Sequence, residues 1–114
     1  MAMAKPKPAI DPAEIEKVIR EIVTRFHPAR VILFGSFAYG QPHEWSDVDL
    51  LVVTSRIPPR NERWKVSHEL DEFISSPLQT IFMTPEEFEE TRDVVGGIAF
   101  PANQWGKVVY ESHP

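Results

Sequence analysis

Asp47 and Asp49 are the residues of this sequence best suited to hold a metal ion. They stand on either side of Val48, at the start of an apolar run that continues to Val53. Because side chains alternate across a β-strand, the two carboxylates share one face at a separation of about 6 to 7 Å, close enough to bind hard cations between them. Without a cation, two such charges repel by about 3 kcal/mol at an effective dielectric of about 20. The pair is therefore either metal-bound or solvated at a strand end.

A second group of polar atoms stands before the aspartates. Gly35 and Ser36 directly follow the apolar run 31–34. A glycine lets backbone N–H groups approach a ligand closely, and a serine adds a hydroxyl donor beside the turn that follows. Such a turn can cradle a phosphate, although Gly-Ser after a strand is more often a simple turn. These residues alone leave both interpretations open.

Hydrophobic spacing and helix capping predict the elements that must hold these residues. The apolar runs around the two motifs are too short for amphipathic helices and are typical of buried strands. Proline, glycine and capping residues set the boundaries of the other elements. The predicted order is a helix over 11–26, a strand over 31–34, a strand over 47–53, a helix over 60–74, a strand over 78–83, a helix capped by Thr84 and Glu87, and a strand over 107–110.

Composition limits what these motifs can mean. The chain has 114 residues, 42% hydrophobic and 25% charged, as in an ordinary globular domain. We predict that residues 1–10 form a flexible lead and that residues 11–114 form one domain. The absence of cysteine excludes thiolate zinc sites and cysteine nucleophiles. A net charge of -5 argues against a broad nucleic-acid-binding face, and no apolar run is long enough to span a membrane, so we expect a cytoplasmic protein.

Taken together, the two motifs indicate a protein family more specifically than either motif does alone. In order they are Gly35-Ser36, the ten residues 37–46, Asp47-Val48-Asp49 and the hydrophobic continuation 50–53. This pattern resembles the signature of the minimal nucleotidyltransferases of the DNA polymerase beta-like superfamily. The resemblance implies an α+β fold, with a small mixed β-sheet and helices packed mainly on one face.

The same resemblance implies a function for each motif residue. Asp47 and Asp49 would be the catalytic and metal-binding residues, with Mg²⁺ as the metal, and Gly35 and Ser36 would bind the phosphates of ATP. The implied reaction is metal-dependent transfer of AMP from ATP to a hydroxyl group. Two-metal chemistry agrees with this, since cations neutralise the transferring phosphoryl group and orient the attacking hydroxyl.

The resemblance also implies a protein partner. Minimal nucleotidyltransferases are commonly paired with HEPN-domain proteins in toxin–antitoxin modules, and this chain resembles the antitoxin half. The partner would be either the hydroxyl acceptor or a toxin neutralised by contact alone. A weaker alternative is a small-molecule modifier similar to the aminoglycoside nucleotidyltransferases, which usually add a helical domain for the acceptor. In 114 residues no such domain remains, so we expect a homo- or hetero-oligomer.

One position departs from the family pattern. Similar proteins carry a third metal-binding acid on the strand before the Thr84 cap, and this sequence has Gln79 there. An amide oxygen can ligate a hard cation, but it brings no charge and cannot act as a base. Gln79 is thus either a weakened third ligand or a plain exposed strand residue. An acid elsewhere, at Asp71, Glu72 or Glu86, could compensate if the fold brought it close.

The aromatic residues give a weaker signal. Trp45 lies in the connector beside the aspartates and is the best candidate for a nucleobase or partner contact. Phe100, Trp105 and Tyr110 are expected in the hydrophobic core, with an exposed partner-binding patch as the alternative.

Overall fold

A four-stranded mixed sheet organises the chain. The computed structural model describes residues 12–35, 48–75 and 77–112. The strands lie in the order β3-β2-β1-β4. Their bounds are Arg30–Phe34 for β1, Val48–Val53 for β2, Leu78–Met83 for β3 and Lys107–Glu111 for β4. Strand β1 pairs antiparallel with β2 and β4, whereas β2 and β3 are parallel. The predicted mixed sheet is confirmed.

In the part of the chain that the structure describes, four α-helices connect and cover the strands. They are α1 (Pro12–Phe26), α2 (Arg63–Leu70), α3 (Pro85–Thr91) and α4 (Ala99–Trp105). Three-residue 3-10 turns flank α2 on both sides, so the second predicted helix ends at Leu70 rather than at Ile74. Within the described residues, no helix is long and apolar enough to cross a membrane. The predicted lead over 1–10 lies outside the described residues.

Two hydrophobic clusters lie on opposite faces of the sheet. On one face, Val48, Leu50 and Val52 pack with α1 and α2. On the other, Leu51 and Val53 pack with Phe88 of α3 and two alanines of α4. The α+β class is confirmed, and the expected concentration of helices on one face holds for the two longest. The seven-residue helices α3 and α4 cover the second face, because β2 is apolar on both sides and requires burial on both.

A capping box fixes where α3 begins. Thr84 and Glu87 form the predicted capping box, since Thr84 Oγ1 accepts from Glu87 N at 3.1 Å and Glu87 Oε1 accepts from Thr84 N at 3.2 Å. Glu14, in the first turn of α1, makes a contact that is distant in sequence. Its carboxylate accepts hydrogen bonds from the backbone N and Oγ of Ser75 at 2.6 and 3.0 Å, which ties the start of α1 to the turn before β3.

Polar contacts also hold α1 to its neighbours. At the end of β2, the buried Thr54 hydroxyl donates to the carbonyl of Phe26 at 2.8 Å, so the last residue of α1 is tied to the sheet. On the surface, Arg25 bonds Glu69 of α2 at 2.7 Å, and this hydrogen bond raises the pKa of the Arg25 guanidinium. The partly exposed ion pair adds little stability, whereas the buried hydroxyl satisfies a carbonyl that water cannot reach.

Gly106 lets α4 approach β1. A Cβ atom at this position would lie 2.5 Å from the carbonyl oxygen of Ala102, 2.6 Å from Ile32 Cγ2 and 3.0 Å from the carbonyl oxygen of Leu33. Two of these three atoms belong to the backbone, so they cannot move aside as a side chain would. The turn between α4 and β4 therefore needs a residue without a side chain.

Gly106→Ala should lower the free energy of unfolding by about 1 to 3 kcal/mol, because the added methyl group overpacks this junction. Urea denaturation followed by circular dichroism measures the change. Gly97→Ala is the matched control, since its Cβ would meet only the Val94 carbonyl oxygen at 3.9 Å. We expect the control to stay within about 0.5 kcal/mol of the wild type. Equal stability of the two variants would contradict the close packing.

Candidate functional site

The candidate site lies at the end of the sheet where β1 finishes and β2 starts. Gly35 directly follows β1, and Asp49 is the second residue of β2. Because the two strands are antiparallel, Phe34 and Asp49 are paired residues, and Gly35 lies beside the start of β2. The fold thus brings together one residue from each of the two motifs that the sequence singled out.

Gly35 and Asp49 are in contact, and this contact requires glycine. Gly35 has a φ of +79°, a backbone conformation that residues with a side chain rarely adopt. A Cβ atom at Gly35 would overlap Asp49 Oδ2 and would lie 3.3 Å from Asp49 Cγ. The space that a side chain would take is filled by the Asp49 carboxylate. Gly35, at the start of the turn after β1, and the Asp49 carboxylate on β2 are therefore packed directly against each other.

The neighbours of Asp49 on β2 determine which way its carboxylate points. Val48 and Leu50 are completely buried on the α1/α2 face of the sheet. Asp49 is half-buried and, by the alternation of side chains along a strand, lies on the opposite face with Leu51 and Val53. A reversal would bury a carboxylate in an apolar core, which is strongly unfavourable. Burial of the neighbours thus holds Asp49 toward the α3/α4 face.

Gln79 is the next polar residue on this face. In the parallel pair of β2 and β3, Gln79 is in register with Asp49. Adjacent strands are about 4.8 Å apart, and in-register residues point to the same side, so the Gln79 side chain stands beside that of Asp49. Gln79 is also exposed, so its amide is accessible from solvent. The amide can supply a neutral oxygen or an N–H donor to a ligand held there.

Other predicted site residues are not brought together by the described structure. Ser36, Trp45 and Asp47 lie outside the described residues, so their roles stay predictions. Glu86 is at the first turn of α3, which follows the far end of β3, so it does not compensate at Gln79. Asp71 and Glu72 lie in the turn after α2, an element packed on the opposite face.

The donor atoms at this end of the sheet suit a hard divalent cation. Asp49 contributes carboxylate oxygens and Gln79 an amide oxygen. All of these are oxygen ligands, the kind that Mg²⁺ prefers with several waters retained. Among residues 12–35, 48–75 and 77–112, no three acidic or histidine side chains form a metal site. The described residues therefore offer a cation at this end of the sheet one carboxylate and one amide oxygen.

The aromatic residues of the last segment differ from the prediction. Phe100 and Tyr110 are half-buried, but Trp105 is 58% exposed, so its assignment to the core is wrong. Helix α4 turns Ala99 and Ala102 inward instead, and its last residue is left outside. Gly106, which directly follows Trp105, indicates in the sequence that a helix ends there. The last side chain of a helix need not be buried.

Comparison with known proteins supports one family. A family model for the nucleotidyltransferase domain matches residues 15–99. A Methanocaldococcus jannaschii protein named "Putative protein adenylyltransferase" is 49% identical over 41 residues, which is 35% of this chain and only 28% of that relative.

Solved structures give the same fold. A toxin–antitoxin structure with AMP-PNP superposes with a TM-score of 0.63 at 20% identity, covering 89% of this chain and 73% of that one. A mutant of a MntA–HepT toxin–antitoxin complex gives a TM-score of 0.64 at 17% identity, covering 90% and 75%. At this level of identity, the superpositions establish the architecture.

Gly35→Ala should be destabilising through two separable effects, the cost of a positive φ, about 1 to 2 kcal/mol, and the overlap with Asp49. A double-mutant cycle with Asp49→Ala isolates the overlap, and we expect a coupling of about 1 kcal/mol in urea denaturation. Gly96→Ala is the control for backbone strain alone, since its φ is +103° and its Cβ would meet nothing within 4 Å. Additive effects of Gly35→Ala and Asp49→Ala would mean that the two residues do not touch.

Proposed function

Because this chain belongs to the nucleotidyltransferase domain family, we propose that it transfers AMP from ATP to a hydroxyl acceptor. The observation that carries the proposal is the contact between Gly35 and Asp49. It places the Asp49 carboxylate against Gly35, at the start of the turn for which the sequence predicts a phosphate-binding role. Nucleotidyl transfer needs both, because phosphate oxygens must be held and their charge neutralised at one point. A cytoplasmic location belongs to the same proposal.

Each site residue has a distinct role in this proposal. Gly35 and Ser36 bind phosphate oxygens through backbone N–H groups and the serine hydroxyl. Asp47 and Asp49 would hold Mg²⁺, which would offset the negative charge of the triphosphate. The acceptor oxygen forms a bond to the α-phosphorus as the bond to the β-phosphate bridging oxygen breaks, and pyrophosphate leaves. The hydroxyl proton passes to solvent, since Gln79 cannot accept it.

The proposed acceptor is a side-chain hydroxyl of a HEPN-domain toxin partner. Two observations on similar proteins favour a protein acceptor: one relative is named a protein adenylyltransferase, and the superposed structures are toxin–antitoxin complexes. The match covers only 28% of the relative, so the name of that relative is not sufficient support. The proposal therefore also depends on the geometry at Gly35 and Asp49.

Gln79 favours a second candidate function. In this alternative the chain is a weak or inactive nucleotidyltransferase that neutralises its partner by contact, and Gln79 replaces the third metal-binding acid. The register of Gln79 with Asp49 supports this, because a third ligand would have to project from that face of β3. A neutral amide in place of a carboxylate weakens the hold on a divalent cation and removes a base.

Isothermal titration calorimetry tests the nucleotide site. ATP should bind in the presence of Mg²⁺, and Asp49→Asn should weaken this binding at least about tenfold, since a charged metal ligand is lost. Asp71→Asn removes an exposed acid on the other face and should leave the affinity unchanged. If the wild-type chain does not bind Mg²⁺-ATP, the enzymatic proposal is wrong and the contact-only alternative stands.

Gln79→Glu should strengthen divalent cation binding about tenfold, because it places a third carboxylate beside Asp49. Mn²⁺ titration followed by electron paramagnetic resonance reports the metal affinity without turnover. Gln79→Met is the control, with similar length and no oxygen ligand, and should bind Mn²⁺ no better than the wild type. Unchanged Mn²⁺ affinity in Gln79→Glu would show that this side chain does not face the cation.

Transfer of radiolabelled AMP from ATP to a co-expressed partner then decides between the two functions. Labelling by the wild-type chain supports the enzyme. Labelling by Gln79→Glu alone supports an antitoxin whose catalytic site has lost a ligand.

A further inference from the structure

Trp105 is a large aromatic side chain that the fold leaves open to solvent. Trp105 is 58% exposed, although it ends a helix that packs Ala99 and Ala102 against the sheet. The ring is not loose, because it meets Phe100 edge to face at a centroid distance of 5.8 Å and an interplanar angle of 85°. An indole ring that is both exposed and held in place can stack on a flat ligand.

The position of Trp105 follows from contacts of the next two residues. Gly106 lies against the Leu33 carbonyl, and Lys107 pairs with Leu33 across the sheet. Leu33 is two residues before Gly35, about 7 Å along an extended strand. Trp105 therefore stands at the Gly35 end of the sheet. An extended nucleoside triphosphate can reach from the phosphate-binding turn to this ring.

Trp105 is also on the correct face. Ala99 and Ala102 of α4 pack in the same cluster as Leu51 and Val53 of β2. Asp49 alternates with these strand residues and lies on their side of the sheet. A nucleotide whose phosphates are held at Gly35, beside a cation on Asp49, thus lies on the same face of the sheet as α4.

We propose that Trp105 is the stacking platform for the nucleobase of the nucleotide held at Gly35 and Asp49. The inference rests on the proposed nucleotidyltransferase function and adds the base-binding group to it. Stacking on an indole gains contact area with ring size, so it favours a purine over a pyrimidine. Trp45, the residue for which the sequence suggested a nucleobase contact, lies outside the described residues and is not part of this proposal.

Trp64 provides an internal comparison. It is even more exposed, at 69%, but it belongs to α2. Helix α2 packs through Val66 and Leu70 on the opposite face of the sheet, away from Asp49. Exposure alone therefore does not make a base-binding residue, and Trp64→Ala is a matched control for removing a surface indole.

The experiment compares ATP with inorganic tripolyphosphate, each titrated calorimetrically in the presence of Mg²⁺. Trp105→Ala should weaken ATP binding about fivefold or more and leave tripolyphosphate binding unchanged, since only ATP has a base to stack. Trp105→Phe should recover most of the loss, and Trp64→Ala should bind both ligands like the wild type. Urea midpoints of all variants confirm that each is folded.

Three outcomes would overturn the base-stacking role of Trp105. Equal ATP affinity in Trp105→Ala and the wild type overturns the base-stacking role and leaves the nucleotide site intact. A parallel loss of tripolyphosphate and ATP affinity in Trp105→Ala also overturns it, because the substitution then acts on the phosphate site. If the wild type binds neither ligand, the proposed function fails, and this inference fails with it.

Discussion

The close approach of the Gly35 backbone to the Asp49 carboxylate is the constraint on which the site depends. A positive φ turns the chain away from β1, and the missing Cβ leaves room for an acid from the neighbouring strand. Neither feature works alone, since an ordinary residue in this turn would push the carboxylate out, and a glycine without the acid would be only a turn. The antiparallel pairing of β1 and β2 brings them together, and burial of Val48 and Leu50 keeps Asp49 on its face.

The rest of the fold supports this strand from both sides. Helices α1 and α2 cover one face, and α3 and α4 cover the other. The polar links lie at the margins: Glu14 holds the Ser75 turn that leads into β3, and Thr54 anchors the far end of β2 to α1. The strand that carries Asp49 is thereby fixed at its end and along its length. A binding site built on such a strand is more precisely positioned than one built on loops alone.

The parts that could be predicted from sequence are those set by local spacing. The strand around Asp49, the turn glycine and the Thr84 capping box follow from residues within a few positions of one another. The partner of Glu14 could not be predicted, because Ser75 is distant in sequence and a carboxylate three residues after an aspartate suggests a cap. The exposure of Trp105 could not be predicted, because α4 has too few residues for its hydrophobic periodicity to show which face is buried. The register of Gln79 with Asp49 depends on how two strands slide against each other, and hydrophobic alternation alone does not fix that.

Because β3 is an edge strand paired with β2, the part of the site on β3 opens locally more easily than the part on the central strands. Gly35 directly follows the central strand β1 and Asp49 lies on the central strand β2, whereas Gln79 lies on the edge strand β3, which joins the sheet only after the α2 crossover has formed. Edge strands open locally at lower free energy than central ones, and pairing across a long connection forms late in folding. Fraying of β3 would therefore remove the amide from the site while the turn and its carboxylate stayed together. Amide hydrogen exchange should therefore be slower around Gly35 and Asp49 than around Gln79 on β3.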